Sequence, residues 1–286
     1  MSRVGTHGFG WHPDLADHRD YSLRQEAIAA MMRNLPAPAR KARKRPEAVD
    51  WREYCGPVED QQNLPTSSAH ACVALIQYFE RRARGRLRQL SRLFVHNNAC
   101  RMRGEAQNQD VSLRSIFNAA VRCGIPPERH WPYDASLMDR EPDAFAYSFQ
   151  RNFRRLRYLR LDSRQLAPPE VLERLKSFLA AGFPFAFGFS VCSSMIDDGQ
   201  IAFPTAADSV IGGHAVVAIG YDDGLRIRSD KGALLVRNSW GQGWGEAGYG
   251  WLPYSYVEQR LAVDFWTLVK PSWLRSGEFE MPSIMQ

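Results

Sequence analysis

Three separated stretches carry side chains able to do acyl-transfer chemistry. In "DQQNLPTSSAH" (60–70), Gln61 precedes Ser67 by six residues at what reads as a helix start. In "GGHAVVAIGYD" (212–222), His214 stands inside an apolar run. In "VRNSWGQGWG" (236–245), Asn238 follows another apolar run. A nucleophile at a helix N-terminus sits where the macrodipole favours a developing anion. A histidine on a strand is held rigidly enough to act as a general base. An asparagine can fix that imidazole in one tautomer. The Gln61 amide and the helix-start N–H could together form a pair of oxyanion donors. Spacing alone does not bring the three stretches together.

The elements that must position them follow from periodicity and punctuation. Thr66 is a suitable N-cap after Pro65, and Cys72, Val73, Ile76 and Phe79 recur at helical spacing up to Gly85, a natural C-terminal stop. Residues 90–104, 111–124 and 168–182 also read as helices, and 23–33 as a short helical piece. "PFAFGFSV" (184–191), 212–222 and 232–240 read as strands. Helices thus dominate the first half of the chain and sheet the second. No internal repeat is visible. Residues 1–46 form a polar lead-in that ends in the basic, proline-rich "LPAPARKARKRP" (35–46), expected to be exposed.

Composition narrows the function classes. The chain has 286 residues, 44% of them hydrophobic and 24% charged, as expected for a globular protein with a sizeable core. No stretch reaches the roughly 18–20 apolar residues of a membrane span, and the N-terminus lacks an apolar signal core. The five cysteines are odd in number, scattered and free of any Cys-x-x-Cys pair, which points to a reducing cytoplasm. The net charge of +6 owes much to "RKARKR" (40–45) and "RNFRRLRYLR" (151–160). No nucleic-acid reading motif accompanies these runs, so a solvated basic face is the simpler reading.

The chain resembles the papain family of cysteine peptidases, in its bacterial, signal-peptide-lacking form. The resemblance is carried by "VDWREYCGPVEDQ" (49–61), "GIPPERHWPYD" (124–134), "GGHAVVAIGYDD" and "VRNSWGQGWGEAGYGWLPY", and runs to about residue 269. Even "GFGWHPDLADHRDYS" (8–22) resembles the lead-in of such members. The resemblance implies an α+β, two-lobe papain-like fold. A helical lobe (mainly 60–150) and an antiparallel, barrel-like sheet lobe (mainly 151–270) would flank the cleft within a 47–286 domain. It implies Ser67 at the nucleophile position, His214 as general base, Asn238 orienting it and Gln61 in the oxyanion hole. Gly213 and Trp240 would line the substrate site. It implies a peptide or protein substrate, no cofactor and no metal, and no nucleic-acid or membrane partner. Residues 1–46 are expected to pack on or near the cleft.

The departures are as informative. Ser67 stands where the family has cysteine, Ser68 follows it, Gln62 replaces a glycine and Leu64 a cysteine. Asp110, in "NQDVSLR" (108–114), falls in or beside a glycine of the substrate-binding wall. A papain-type thiol gives its proton to the histidine before substrate arrives, whereas a hydroxyl must lose it during attack. Asparagine supports an imidazolium less than a buried aspartate does, so little or no hydrolysis is expected from this chain. Three readings stay open: natural loss leaving a peptide-binding pseudopeptidase or scaffold, an engineered substitution in an active peptidase, or a weak serine nucleophile.

The remaining candidates carry plainer readings. Cys72 lies about 140° around the helix from Ser67 and should face the core. Cys55 is out of register. His96 and Cys100 are spaced i, i+4 on a helix but have no third ligand. His70 is read as a packing or surface residue, and Asp222 and Asp223 as the turn that ends the histidine strand.

Overall fold

In the computed structural model, the described residues are 7–15, 17–36, 45–163, 165–195 and 198–285. Their elements run α1 (Glu26–Arg33), β1 (Ala48–Asp50), α2 (Ser67–Arg84), α3 (Arg92–Arg103), α4 (Leu113–Cys123), β2 (Arg157–Arg160) and α5 (Pro168–Ala180). β3 (Phe185–Cys192), β4 (Val210–Ile227), β5 (Asp230–Arg237), β6 (Tyr249–Pro253), α6 (Ser255–Glu258), β7 (Ala262–Val269) and α7 (Pro271–Leu274) complete them.

Local chemistry explains the helix boundaries. Ser91 and Ser112 accept the Phe94 and Ser115 amides at the starts of α3 and α4. Gly85 ends α2 at φ 65°, a left-handed cap that suits glycine. In α5, Pro168 opens the helix and Glu170 accepts the Ala167 amide at 2.7 Å. One expectation changes at α2. Thr66 occupies the N-cap position without side-chain capping, because its hydroxyl bonds Tyr133 at 2.6 Å instead.

The sheet is antiparallel and seven-stranded, ordered β2-β7-β3-β4-β5-β6, with β1 also paired to β4. β4 is the spine. His214 pairs with Phe189 of β3, and Val217 pairs with Arg237 of β5, so Asn238 leaves β5 close to His214. The strand expected to stop at Asp222 continues to Ile227. Asp222 makes a local turn, accepting the Gly224 and Leu225 amides, and the ladder resumes at Arg226 after a register shift. The run 151–160 splits between the end of a 3-10 segment (Ala144–Asn152) and β2, an edge strand. The main core lies between α2 and the sheet, with Tyr78, Phe79, Phe183 and Trp266 wholly or almost wholly buried. A smaller core under α3 gathers Leu93, Phe94 and Trp131.

Candidate active site

The fold places Gln61, Ser67, His214, Asn238 and Trp240 in one buried locus between α2 and the β4–β5 end of the sheet. All five are at most 5% exposed. Asn238 Oδ1 accepts two hydrogen bonds of 2.7 Å, from His214 Nε2 and from the Ser239 amide. That bond places the imidazole proton on Nε2 in the neutral ring, leaving the Nδ1 lone pair free, and Nδ1 has no hydrogen-bond partner among the described residues. The Trp240 indole covers the ring at 4.5 Å between centroids. Burial pushes His214 down to about 4, against the Asn238 hydrogen bond, which raises it, and with a smaller lowering from His7. The imidazole is therefore neutral near pH 7 and shaped as a base.

Ser67 is the first residue of α2. Its Oγ accepts the Ala215 amide at 3.1 Å, and no bond joins it to His214. Gln61 is braced from the sheet side. Its amide N–H donates to Ser239 O at 2.8 Å, and its Oε1 accepts the Ser239 hydroxyl at 2.6 Å. This bracing aims Nε2 at a cluster of carbonyls, with Phe9 O at 2.7 Å and Gly8 O and Leu64 O each at 2.9 Å. The Ser67 amide points at Phe9 O from 3.4 Å. Two N–H donors thus converge on one peptide carbonyl beside the nucleophile position, the geometry of an oxyanion hole.

That carbonyl belongs to residues 7–11, which lie across the cleft. At one end His7 stacks on Trp240 at 4.9 Å, and the Gly8 amide donates to Gln62 O at 2.9 Å. At the other, Gly10 O accepts the Val111 amide at 3.3 Å and the Ser68 hydroxyl at 3.1 Å, and the Trp11 amide donates to Gly213 O at 3.3 Å. The Trp11 ring is packed so closely that a β-carbon at Gly188 would come within 1.9 Å of it. One at Gly213 would come within 2.4 Å of Trp11 O.

Two residues that sequence reasoning did not single out complete the cleft. Val111, not its neighbour Asp110, supplies the wall amide. Asp110 is exposed at the surface beside His12, its carboxyl raised by partial burial and held back by the His12 charge. Asp264 lies at the floor under Trp11, taking the Trp11 indole N–H at 3.4 Å and that of Trp266 at 2.8 Å, with Arg160 at 3.4 Å. It is fully buried at φ 66°, and burial lifts it to about 6, against Arg160. The available signal was an aspartate inside the apolar run "LAVDFWTLV".

The plainer candidates stay apart from the cleft chemistry. Cys72 is fully buried and its thiol is pushed up by burial. His70 bonds Thr66 O at 3.0 Å and meets Tyr133 edge-on. His96 contacts Cys100 Sγ at 3.6 Å and Gln107 O at 2.6 Å, and burial holds it at about 4. No group of three or more metal-ligating side chains occurs among the described residues, and no helix there is long and apolar enough to cross a membrane. Of the basic run 40–45, only Arg45 falls within the described residues. It pairs with Glu173 at 2.7 Å.

Comparison with known proteins gives this geometry its context. Xylellain, a cysteine protease from Xylella fastidiosa, superposes with a TM-score of 0.72 at 29% identity, covering 94% of this chain and 98% of that one. An uncharacterized peptidase C1-like protein, L477 of Acanthamoeba polyphaga mimivirus, is 32% identical over 73% of this chain and 68% of its own length. Two probable cysteine proteases of Arabidopsis thaliana are 26% identical, and the chain spans only 42% and 41% of their lengths. The model of the papain family cysteine protease matches residues 45–266, a span that takes in Gln61, Ser67, His214 and Asn238. With the cleft, the sheet order and the sequence in agreement over that span, the chain belongs to the papain family of cysteine proteases.

Proposed function

We propose that this chain is a papain-type peptidase scaffold acting on peptide carbonyls, strongly impaired in hydrolysis because Ser67 holds the nucleophile position. The supporting observation is the convergence of Gln61 Nε2 and the Ser67 amide on the Phe9 carbonyl. In the proposed roles, Gln61 and the helix-start amide polarise a bound carbonyl. His214, held by Asn238, takes the nucleophile's proton at Nδ1. Gly213 O and the Val111 amide hold substrate backbone. A thiol at position 67 would ionise against His214, whereas a serine hydroxyl keeps its proton until attack and here already accepts the Ala215 amide. Residues 7–11 act as a built-in occupant that substrate must displace. The five free cysteines fit a reducing, cytoplasmic setting.

The test is Ser67→Cys combined with Trp11→Ala, assayed on a fluorogenic peptide library. Turnover blocked by iodoacetamide and lost when His214→Ala is added supports a peptidase. A folded double variant without turnover would sink that reading. The close fit of residues 7–11 favours a second reading, a non-catalytic peptide-binding protein. It requires that Trp11→Ala with Ser67 intact bind a peptide copied from residues 7–15.

A further inference from the structure

At the far end of α2 from Ser67, the helix terminus, the turn after it, the segment ending at Asn152 and Lys270 enclose a pocket of about 420 Å³. Six arginines (Arg84, Arg86, Arg88, Arg151, Arg154 and Arg155) and Lys270 line it, against one carboxylate, Glu80. Glu80 is buried and already held by the Arg88 guanidinium, with Nε at 2.7 Å. Lys270 donates to Asn152 O at 2.7 Å and Arg154 to Gln150 Oε1 at 3.0 Å. Arg84, Arg86, Arg151 and Arg155 make no side-chain hydrogen bond or ion pair with any described residue.

Several arginines elsewhere are paired with carboxylates, while exposed ones such as Arg226 and Arg260 stand singly among the described residues. What sets this site apart is that four unpaired arginines share one concavity. Arg92 and Arg237 share Glu59, and Arg114 and Arg160 share Asp20. The α2 dipole accounts for Arg84 at most, since Arg86 and Arg151–Arg155 lie off that helix. Crowded like charges in a concavity repel one another and focus the field on whatever anion enters. The Lys270 ammonium registers that crowding: burial lowers it, and Arg84 and Arg88 lower it further against Glu80.

We propose that this pocket binds an oligophosphate group through its arginine forks. Planar guanidinium forks match phosphate oxygens in pairs. The net charge of the lining calls for a multiply charged anion, and the volume lies in the small-molecule range of roughly 300–1,000 Å³. Among the described residues no aromatic side chain lines the pocket, so recognition is assigned to the phosphates. Ser67 opens α2 and Arg84 closes it, so the length of the helix sets the pocket roughly 20–25 Å from Ser67, apart from the peptide cleft.

The test is calorimetric titration of the full chain with sodium tripolyphosphate. Binding is expected, weakening about tenfold or more between about 50 and about 200 mM salt. ATP should bind within about threefold of tripolyphosphate, because only phosphates are read. The double variant Arg86→Gln/Arg155→Gln should lose about tenfold or more in affinity while keeping its melting temperature. Lys231→Gln, an exposed cation elsewhere, should change nothing. Absence of binding by the parent overturns the proposal, as does full affinity in the double variant or equal loss in Lys231→Gln. Marked preference for ATP overturns phosphate-only recognition. Binding of a 20-nucleotide RNA that tripolyphosphate does not displace would show a nucleic-acid surface instead. If the double variant melts early, the single variants Arg86→Gln and Arg155→Gln, each on an exposed side chain, take its place with the same expected direction.

Discussion

Two buried titratable groups flank the cleft with opposite displacements, and their linkage to stability can be separated. His214, at about 4 in the folded chain, lies below its ordinary 6.5. Folding therefore disfavours its protonated form, and stability falls as pH drops from 6.5 towards 4. Asp264, at about 6, lies above its ordinary 3.8. Folding favours its protonated form, so stability rises as pH drops from 6 towards 3.8. Each shift corresponds to about 3 kcal/mol at full effect, and the two oppose each other over most of the same window. Relative to the parent, Asp264→Asn should lose melting temperature on acidification from pH 6.5 to 4, whereas His214→Gln should gain it. Melting curves across that range decide the matter, and parallel profiles for all three proteins would refute the assignment. Gln62 offers a simpler case. It adopts φ 55°, a left-handed conformation that favours glycine, steadied by Asp60 Oδ1 on its amide at 2.7 Å. Gln62→Gly should relieve left-handed strain and stabilise by roughly 1 kcal/mol, read from chemical denaturation.

Among the elements, the lead-in segment is fastened by α4. Arg114 bonds Asp20 at 2.6 Å and 2.7 Å, meets Asp14 at 3.3 Å and donates to Leu15 O at 2.8 Å. Its guanidinium also lies 5.6 Å from the centre of the Trp266 ring. Arg114→Gln should free residues 12–20 without unfolding the sheet. The expected result is faster proteolytic cutting within 7–20, checked by mass spectrometry, and higher turnover in a Ser67→Cys background. Unchanged cutting would place the hold in Trp11 and Asp264 instead. Sequence periodicity indicated α2 through its Gly85 stop, because those signals are local. It did not indicate the Thr66–Tyr133 bond that displaces side-chain capping, because Tyr133 is 67 residues away.

At the scale of the molecule, the two lobes are tied by a buried arginine. Arg237 of β5 is 4% exposed and donates to Gly56 O, Pro57 O at 2.6 Å and Glu59 Oε2 at 2.9 Å. Glu59 in turn pairs with Arg92 of α3, which also reaches Glu128. Removing one member of such a buried network leaves orphaned carbonyls and an under-neutralised carboxylate. Arg237→Ala should cost about 3–5 kcal/mol and lower the melting temperature by roughly 10 °C, where a surface arginine such as Arg226 costs almost nothing. The nearby Ser239–Gln61 bond makes loss of carbonyl binding in the cleft an expected companion, measured by competition with the 7–15 peptide.

The sequence by itself determined the α+β class, the course of the main helices and strands, and which residue types stand as candidates for acyl-transfer chemistry. Helix caps, periodicity and short motifs are written within a few residues of one another, so one chain read alone displays them. Only the tertiary structure decided what those residues face. It turned the Ser67 hydroxyl to the Ala215 amide, gave the wall amide to Val111 in place of Asp110, and set Asp264 under Trp11. Each is a pairing across more than a hundred residues. Such pairings follow from β4 lying in the middle of the sheet and α2 packing against it, and no local pattern encodes them. The same holds for the arginines of residues 84–88 and 151–155, which are two ordinary basic stretches until the fold closes them on one pocket.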